Sequence, residues 1–178
     1  DLPTSRGMWP AIWLLPDTTQ YNWPSQGEID IMENRGNQPR LTSSAYHYGT
    51  TNPYDHQFVF SEQTTARFGQ PVNYHNGFHT YAVDWDETKI RFYVDDVNYY
   101  TVYDADVGGF IGNQTAPKQM TLNTAVGGDF LGAQQPDATT VWPQQFLIDY
   151  VRVLERNDDP LRLRNGGFEA NEGSLAGW

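Results

Sequence analysis

Residues 78–96 read FHTYAVDWDETKIRFYVDD, and the period within them is two. Phe78, Thr80, Ala82 and Asp84 fall on one side of an extended chain, with His79, Tyr81, Val83 and Trp85 on the other. After Asp86-Glu87-Thr88, Ile90, Phe92 and Val94 alternate with Arg91, Tyr93 and Asp95. Successive side chains of a strand point to opposite faces, so this spacing predicts a hairpin joined at residues 86–88. QMTLNTAVGG (119–128) and QFLIDYVRVL (145–154) predict further strands. So does GMWPAIWLLP (7–16), where Pro10, lacking a backbone N–H, points to an edge strand or a bulge. No ten-residue segment carries helical periodicity. The chain is therefore expected to be all-β, with two packed antiparallel sheets joined by loops rich in Gly, Pro, Asn and Asp.

Composition narrows the function. The 178 residues suffice for one domain with a sizeable core, and no apolar run of 18 residues suggests a membrane span. A formal net charge of −11 sets the protein's field against nucleic acids and sulfated polymers, so a neutral partner fits better. With no cysteine there is neither a disulfide framework nor a thiolate metal site. No signal peptide is visible. His75 and His79 are four apart, but Asn76-Gly77 between them is a turn signal rather than a helix face, and neither a G-x-S-x-G elbow nor a phosphate loop occurs.

The chemistry concentrates in GEIDIMENRG, residues 27–36. In a regular strand Glu28 and Asp30 share a face, but Glu33 points the other way. One extra residue accommodated as a β-bulge around Ile31-Met32 resets the phase, and all three carboxyls then project from one side. Three acids on one face crowd one another, which raises at least one pKa and holds that group protonated near neutral pH. An ionised carboxylate beside a neutral carboxylic acid is the equipment of a glycosidase. The span between Glu28 and Glu33 fits the short carboxyl separation of a retaining enzyme better than the wider gap of an inverting one. A solvated sheet face or a calcium site would use the same residue types. The apolar Ile29, Ile31 and Met32 instead place the strand centrally, with its other face buried. Trp9 and Trp13, on one face by alternation, and Trp23 supply aromatic surface against which sugar rings stack.

GEIDIMENRG, preceded by GMWPAIWLLP and followed by YHYG, FHTYAVDWDETKIRFYVDD, LNTAVGG and IDYVRVLE, resembles glycoside hydrolase family 16, and within it the laminarinase branch of endo-β-1,3-glucanases. The resemblance runs in order over about residues 5–155. It implies a β-jelly-roll of two curved antiparallel sheets with the cleft on the concave face. By position it implies Glu28 as nucleophile, Glu33 as general acid/base and Asp30 as the assisting carboxylate between them. Family members acting on mixed-linkage β-1,3-1,4-glucans resemble E-x-D-x-E without the bulge, so the form with Met32 favours laminarinases, agarases and their relatives. His47 resembles the family histidine beside the catalytic strand, with a packed core histidine as the plainer reading. Asn123 resembles a cleft asparagine, against a plain strand-end turn. Arg35 continues the inward set after Glu33 and is a candidate for sugar hydroxyls, a solvated strand-end arginine being the alternative. Asp149 resembles the acid that holds a structural calcium in many members; catalysis requires no cofactor.

The expected substrate is therefore a neutral β-glucan, cleaved by a secreted enzyme that is monomeric when complete. A galactan hydrolase such as a β-agarase and a non-catalytic β-glucan-binding jelly roll are the alternatives. Binders that have lost turnover typically lack one or both glutamates, and Glu28 and Glu33 are both present. Residues 1–156 are assigned to the catalytic domain, 157–164 to a linker and 165–178 to the start of a truncated carbohydrate-binding module. The family's strands before GMWPAIW have no counterpart in this sequence, so unpaired edges and a tendency to associate are expected of the chain alone.

Overall fold

The computed structural model describes residues 1–63, 72–155 and 164–165. Its strands are β1 (Met8–Pro16), β2 (Glu28–Asn34), β3 (Thr42–Tyr48), β4 (Gln57–Gln63), β5 (Tyr81–Asp86), β6 (Lys89–Val94), β7 (Val97–Tyr103), β8 (Lys118–Val126), β9 (Leu154–Glu155) and β10 (Arg164–Asn165). The helical residues among those described lie in two short 3-10 segments, Asp104–Val107 and Asp129–Gln134. The chain divides into two compact units, residues 1–146 and 147–178.

In the first unit β4-β3-β2-β1-β8 form a five-stranded antiparallel sheet, and β5-β6-β7 a three-stranded one. The alternation read from residues 78–96 holds over 81–94, with residues 78–80 outside the strand: β5 and β6 pair from Tyr81↔Val94 to Asp86↔Lys89, and Ile90, Phe92 and Val94 are buried. The hairpin turn is set by the Asp86 carboxylate, which accepts the Thr88 N–H at 2.8 Å. At the other end of β6, Asp95 (φ 47°) and Asp96 (φ 67°) make a two-residue turn into β7, left-handed at both positions as a tight hairpin requires. Leu14, Ile29, Ile31, Tyr46 and Tyr48 of the large sheet pack with Ile90, Phe92 and Val102 of the small one in a single buried cluster. Each such side chain, fully buried, stabilises the fold by about 1.5–3 kcal/mol before entropy is counted.

Two expectations are corrected. The edge placement suggested by Pro10 does not hold, because β1 lies between β2 and β8. Its pairing with β2 begins only at Ala11↔Glu33, so the missing N–H falls beyond that ladder; the irregularity that does occur lies between Ile12 and Trp13. The strand expected over 145–154 is confined to its last residue, Leu154, which with Glu155 pairs with Arg164–Asn165. A strand exists through its ladder, and residues 145–153 have the apolar alternation without a neighbouring strand to pair with among the described residues. Apart from Arg164 and Asn165, the expected linker 157–164 and module start 165–178 lie outside the described residues. Among the described residues no helix is long and apolar enough to cross a membrane.

Candidate active site

The bulge in β2 builds the site. Across from β1, Ile12 faces Met32 and Trp13 faces Asp30, which leaves Ile31 as the extra residue. Across from β3, Asp30 faces Ala45 and Glu33 faces Ser43, so Ile31 and Met32 together oppose Ser44. Ile31 and Met32 both turn inward, into two different buried clusters. Glu28, Asp30 and Glu33 are left on the opposite face of the sheet. Gly27, at φ 68°, starts the strand at a point where a Cβ would lie 2.7 Å from Gln114 and 2.8 Å from Tyr46. The Lys118 ammonium donates to the Gly27 carbonyl at 3.0 Å and also to Gln26. At the far end the buried Asn34 amide donates to the Leu41 carbonyl at 2.5 Å, and its oxygen lies 2.9 Å from His75 Nε2. Both ends of the acidic strand are thus fixed.

Each glutamate receives an indole. Trp23 Nε1 donates to Glu28 Oε2 at 2.6 Å, and Trp9 Nε1 to Glu33 Oε1 at 2.8 Å. Trp9 is held by Phe130, stacked at 4.9 Å, and by Gly128, whose backbone lies so close that a Cβ would come within 2.8 Å of the ring. One role of these two tryptophans is therefore to orient carboxyl groups, which their spacing did not indicate. Trp13 Nε1 donates to Asn123 Oδ1 at 2.8 Å across the β1–β8 pair, fixing the amide so that its N–H2 remains to donate. Arg35 is engaged elsewhere: it pairs with Glu62 at 2.8 Å, donates to the Phe130 carbonyl at 3.0 Å and covers the Phe130 ring at 4.1 Å. It thereby holds the 3-10 segment that carries Phe130 against Trp9.

His47 adjoins the acids. Its Nε2 is 3.1 Å from Asp30 Oδ2, and its Nδ1 is 2.8 Å from His56 Nε2. Burial lowers the His47 pKa, so the ring is neutral near pH 7 and carries one N–H. An Nε2–H donating to Asp30 leaves Nδ1 to accept from the His56 N–H, which fixes the tautomer of both rings. Beside this pair, β4 puts Phe58 and Phe60, 54% and 57% exposed, in register with His47 and Ala45 on the acidic face. His56, Phe58 and Phe60 escaped the reading of the sequence, although the alternation in QFVFSEQ was available to find the two phenylalanines.

Burial raises all three acids. Glu33 is pushed up to about 8, first by desolvation and next by the neighbouring Asp30 charge, against the opposing Trp9 hydrogen bond. Glu28 is raised by desolvation and then by Asp30, and Asp30 by desolvation, the two carboxyls sharing a hydrogen bond. A cluster of this kind cannot ionise fully at neutral pH: Glu33 keeps its proton, and Glu28 and Asp30 share another. Glu28, Asp30 and His47 also bring potential ligand atoms within 4.8 Å of one another, the donor set of a metal site as well as of acid–base chemistry. Asp149 joins no such group among the described residues.

Residues 2–151 match the family model described as "Glycosyl hydrolases family 16". The chain belongs to this family. It is 36% identical over 161 residues to "Glucan endo-1,3-beta-glucosidase A1" of Niallia circulans, covering 86% of this chain and 23% of that protein. It is 38% identical over 162 residues to the "Beta-glucanase" of Rhodothermus marinus, covering 85% of this chain and 54% of that protein. Among solved structures, the catalytic domain of an endo-1,3-beta-glucanase (laminarinase) from Thermotoga petrophila RKU-1 superposes with a TM-score of 0.65 at 31% identity, covering 81% of this chain and 56% of that one. The chain therefore spans roughly a quarter to a little over half of these relatives' own lengths. The match supports the jelly-roll architecture of the family for the two antiparallel sheets.

Proposed function

We propose that this chain carries the catalytic centre of a secreted, retaining endo-β-1,3-glucanase. The observation that carries the reading is the bulge at Ile31-Met32, which gathers Glu28, Asp30 and Glu33 on one face while burial holds Glu33 protonated. The family relationship and the relatives' printed activities support β-glucan as substrate.

When the shared proton sits on Asp30, Glu28 is the free carboxylate and attacks the anomeric carbon. Glu33 delivers its proton to the departing glycosidic oxygen, which leaves a glycosyl ester on Glu28. Glu33, now ionised, takes a proton from water as that water attacks the ester, and Glu28 leaves with the configuration at carbon retained. Asp30 accepts from His47 at Oδ2 and shares a hydrogen bond with Glu28, so it controls when Glu28 is free. The Trp23 N–H favours the ionised nucleophile, and Asn123 and the aromatic rings of the acidic face receive sugar.

Laminarin, lichenan and agarose assayed side by side for reducing ends test the substrate. Hydrolysis is expected on laminarin first, and release of ends from agarose alone would replace the glucan with a galactan. No release from any of them, with binding retained, would make the chain a glycan-binding jelly roll.

A further inference from the structure

Ile31 has no register partner in β1 or β3, and a side chain from β3 meets its carbonyl. Ser44 Oγ, fully buried, donates to the Ile31 carbonyl at 2.7 Å. Ser44 Oγ is also hydrogen-bonded to the Tyr99 hydroxyl of β7, in the other sheet. The direction follows from the proton count: Ser44 has one hydrogen and gives it to a carbonyl that can only accept, so the bond to Tyr99 must be donated by the tyrosine. The sequence of donors is Tyr99 O–H to Ser44 O–H to Ile31 C=O. Two positions along β3, Thr42 Oγ1 donates to the Glu33 carbonyl at 3.3 Å. The two β3 hydroxyls thus bracket the Met32-Glu33 segment. The Tyr99 ring packs against both buried clusters, the one that takes Ile31 and the one that takes Met32.

We infer that Ser44, oriented by Tyr99, is a positioning residue that fixes the peptide between Ile31 and Met32 and with it the direction in which Glu33 presents its carboxyl. The assignment rests on Glu33 being the general acid of the proposed function. Turning the Ile31–Met32 peptide changes the backbone one residue before Glu33 and leaves Glu28, three residues upstream and paired with His47, in place. The staple therefore acts on the proton donor more than on the nucleophile. It also makes the small sheet part of the active-site support, although none of its residues reaches the acids.

The test uses two substrates that differ in their need for a proton. Wild type, Ser44→Ala and Tyr99→Phe are compared on the polysaccharide the wild type cleaves and on a 2,4-dinitrophenyl glycoside of its repeating disaccharide, whose phenolate departs without protonation. Since kcat/KM reports the first, glycosylating step, the later role of Glu33 as base does not enter. Ser44→Ala is expected to lower kcat/KM on polysaccharide by about 100-fold, the scale of a misplaced reacting group, with KM nearly unchanged. The aryl glycoside should lose no more than about threefold, and Tyr99→Phe should show the same imbalance at about tenfold. Equal losses on both substrates would overturn the assignment, because a staple that merely supports the fold affects both steps alike. Should Ser44→Ala fail to fold, Tyr99→Phe decides by the same ratio, since it retains the Ser44 hydroxyl. If the wild type cleaves a polysaccharide other than β-1,3-glucan, the substrate reading fails while the ratio still decides the role of Ser44.

Discussion

Strands β2 and β6 are of similar length and each lies inside its sheet, yet they use their residues in opposite ways. In β6 the period of two is unbroken: Ile90, Phe92 and Val94 go into the core, and Arg91 and Tyr93 do not. In β2 the period breaks at Ile31-Met32, two consecutive side chains are buried, and three carboxyl groups appear together on the other face. The regular strand secures the fold. The irregular one accepts a residue without a register partner and three raised acids, both of which cost stability, and obtains a reactive arrangement from them.

The largest contrast should come from the same operation applied to each strand. Deleting Phe92 from β6 shifts every following residue to the wrong face, and the expected result is loss of the folded state, seen as no cooperative melt by circular dichroism. Deleting Met32 from β2 removes the extra residue instead, which restores the register with β3 and leaves Glu28, Asp30 and Glu33 alternating on one face. That variant should fold, lose about 2–5 kcal/mol for the buried methionine, and retain measurable hydrolysis. A Met32 deletion that unfolds as completely as the Phe92 deletion would refute this account of the bulge.

A middle-sized effect concerns pH. Glu33 has a folded pKa of about 8 against an ordinary 4.5, so between those values the folded state holds a proton that the unfolded state releases. Stability must therefore fall as pH rises through that window, by up to about 1.4 kcal/mol per pH unit. Glu33→Gln removes this dependence, so its melting temperature relative to wild type should increase from pH 5 to pH 8. In the wild type the basic limb of kcat/KM should lie near 8, where the general acid is lost. A melting difference that is flat with pH would mean Glu33 is not raised.

The smallest effect belongs to the regular region. Asp96 is exposed, at φ 67°, in the turn between β6 and β7. Asp96→Gly relieves the left-handed conformation and should raise stability by a few tenths to about 1 kcal/mol, with kcat/KM unchanged. A change in activity would mean that the two regions are less separate than their residues suggest.

What could be read in the sequence follows the same division. The β5–β6 hairpin was legible because periodicity is local. The gathering of the three acids was legible because the six-residue spacing has no regular solution. β7 was missed because its period breaks: the register against β6 shifts between Phe92 and Tyr93 and leaves Tyr99 as the extra residue, so Val97, Tyr100 and Val102 oppose the buried Val94, Phe92 and Ile90 without a constant spacing of two, and the two-residue turn at Asp95-Asp96 was the available signal. The strand expected over 145–154 was over-read because alternation says nothing about whether a partner is present. The two indole N–H groups on Glu28 and Glu33, the His47–His56 pair and the Ser44–Tyr99 staple join residues 5 to 55 positions apart, and no local pattern encodes such meetings.

The central claim is that Glu28 forms the covalent bond to sugar and that Glu33, brought alongside by the bulge, does not. A 2-deoxy-2-fluoro β-glucosyl oligosaccharide with a good leaving group lets the ester form and slows its hydrolysis, so the labelled residue can be located by mass spectrometry. Trypsin leaves all three acids on one peptide, residues 7–35, because no Lys or Arg lies between Arg6 and Arg35. Fragment ions must therefore assign the site. The account predicts one added glycosyl group on Glu28, formed stoichiometrically and absent in Glu28→Gln; the label on Glu33 or Asp30, or an intact protein mass unchanged while turnover continues, would contradict it.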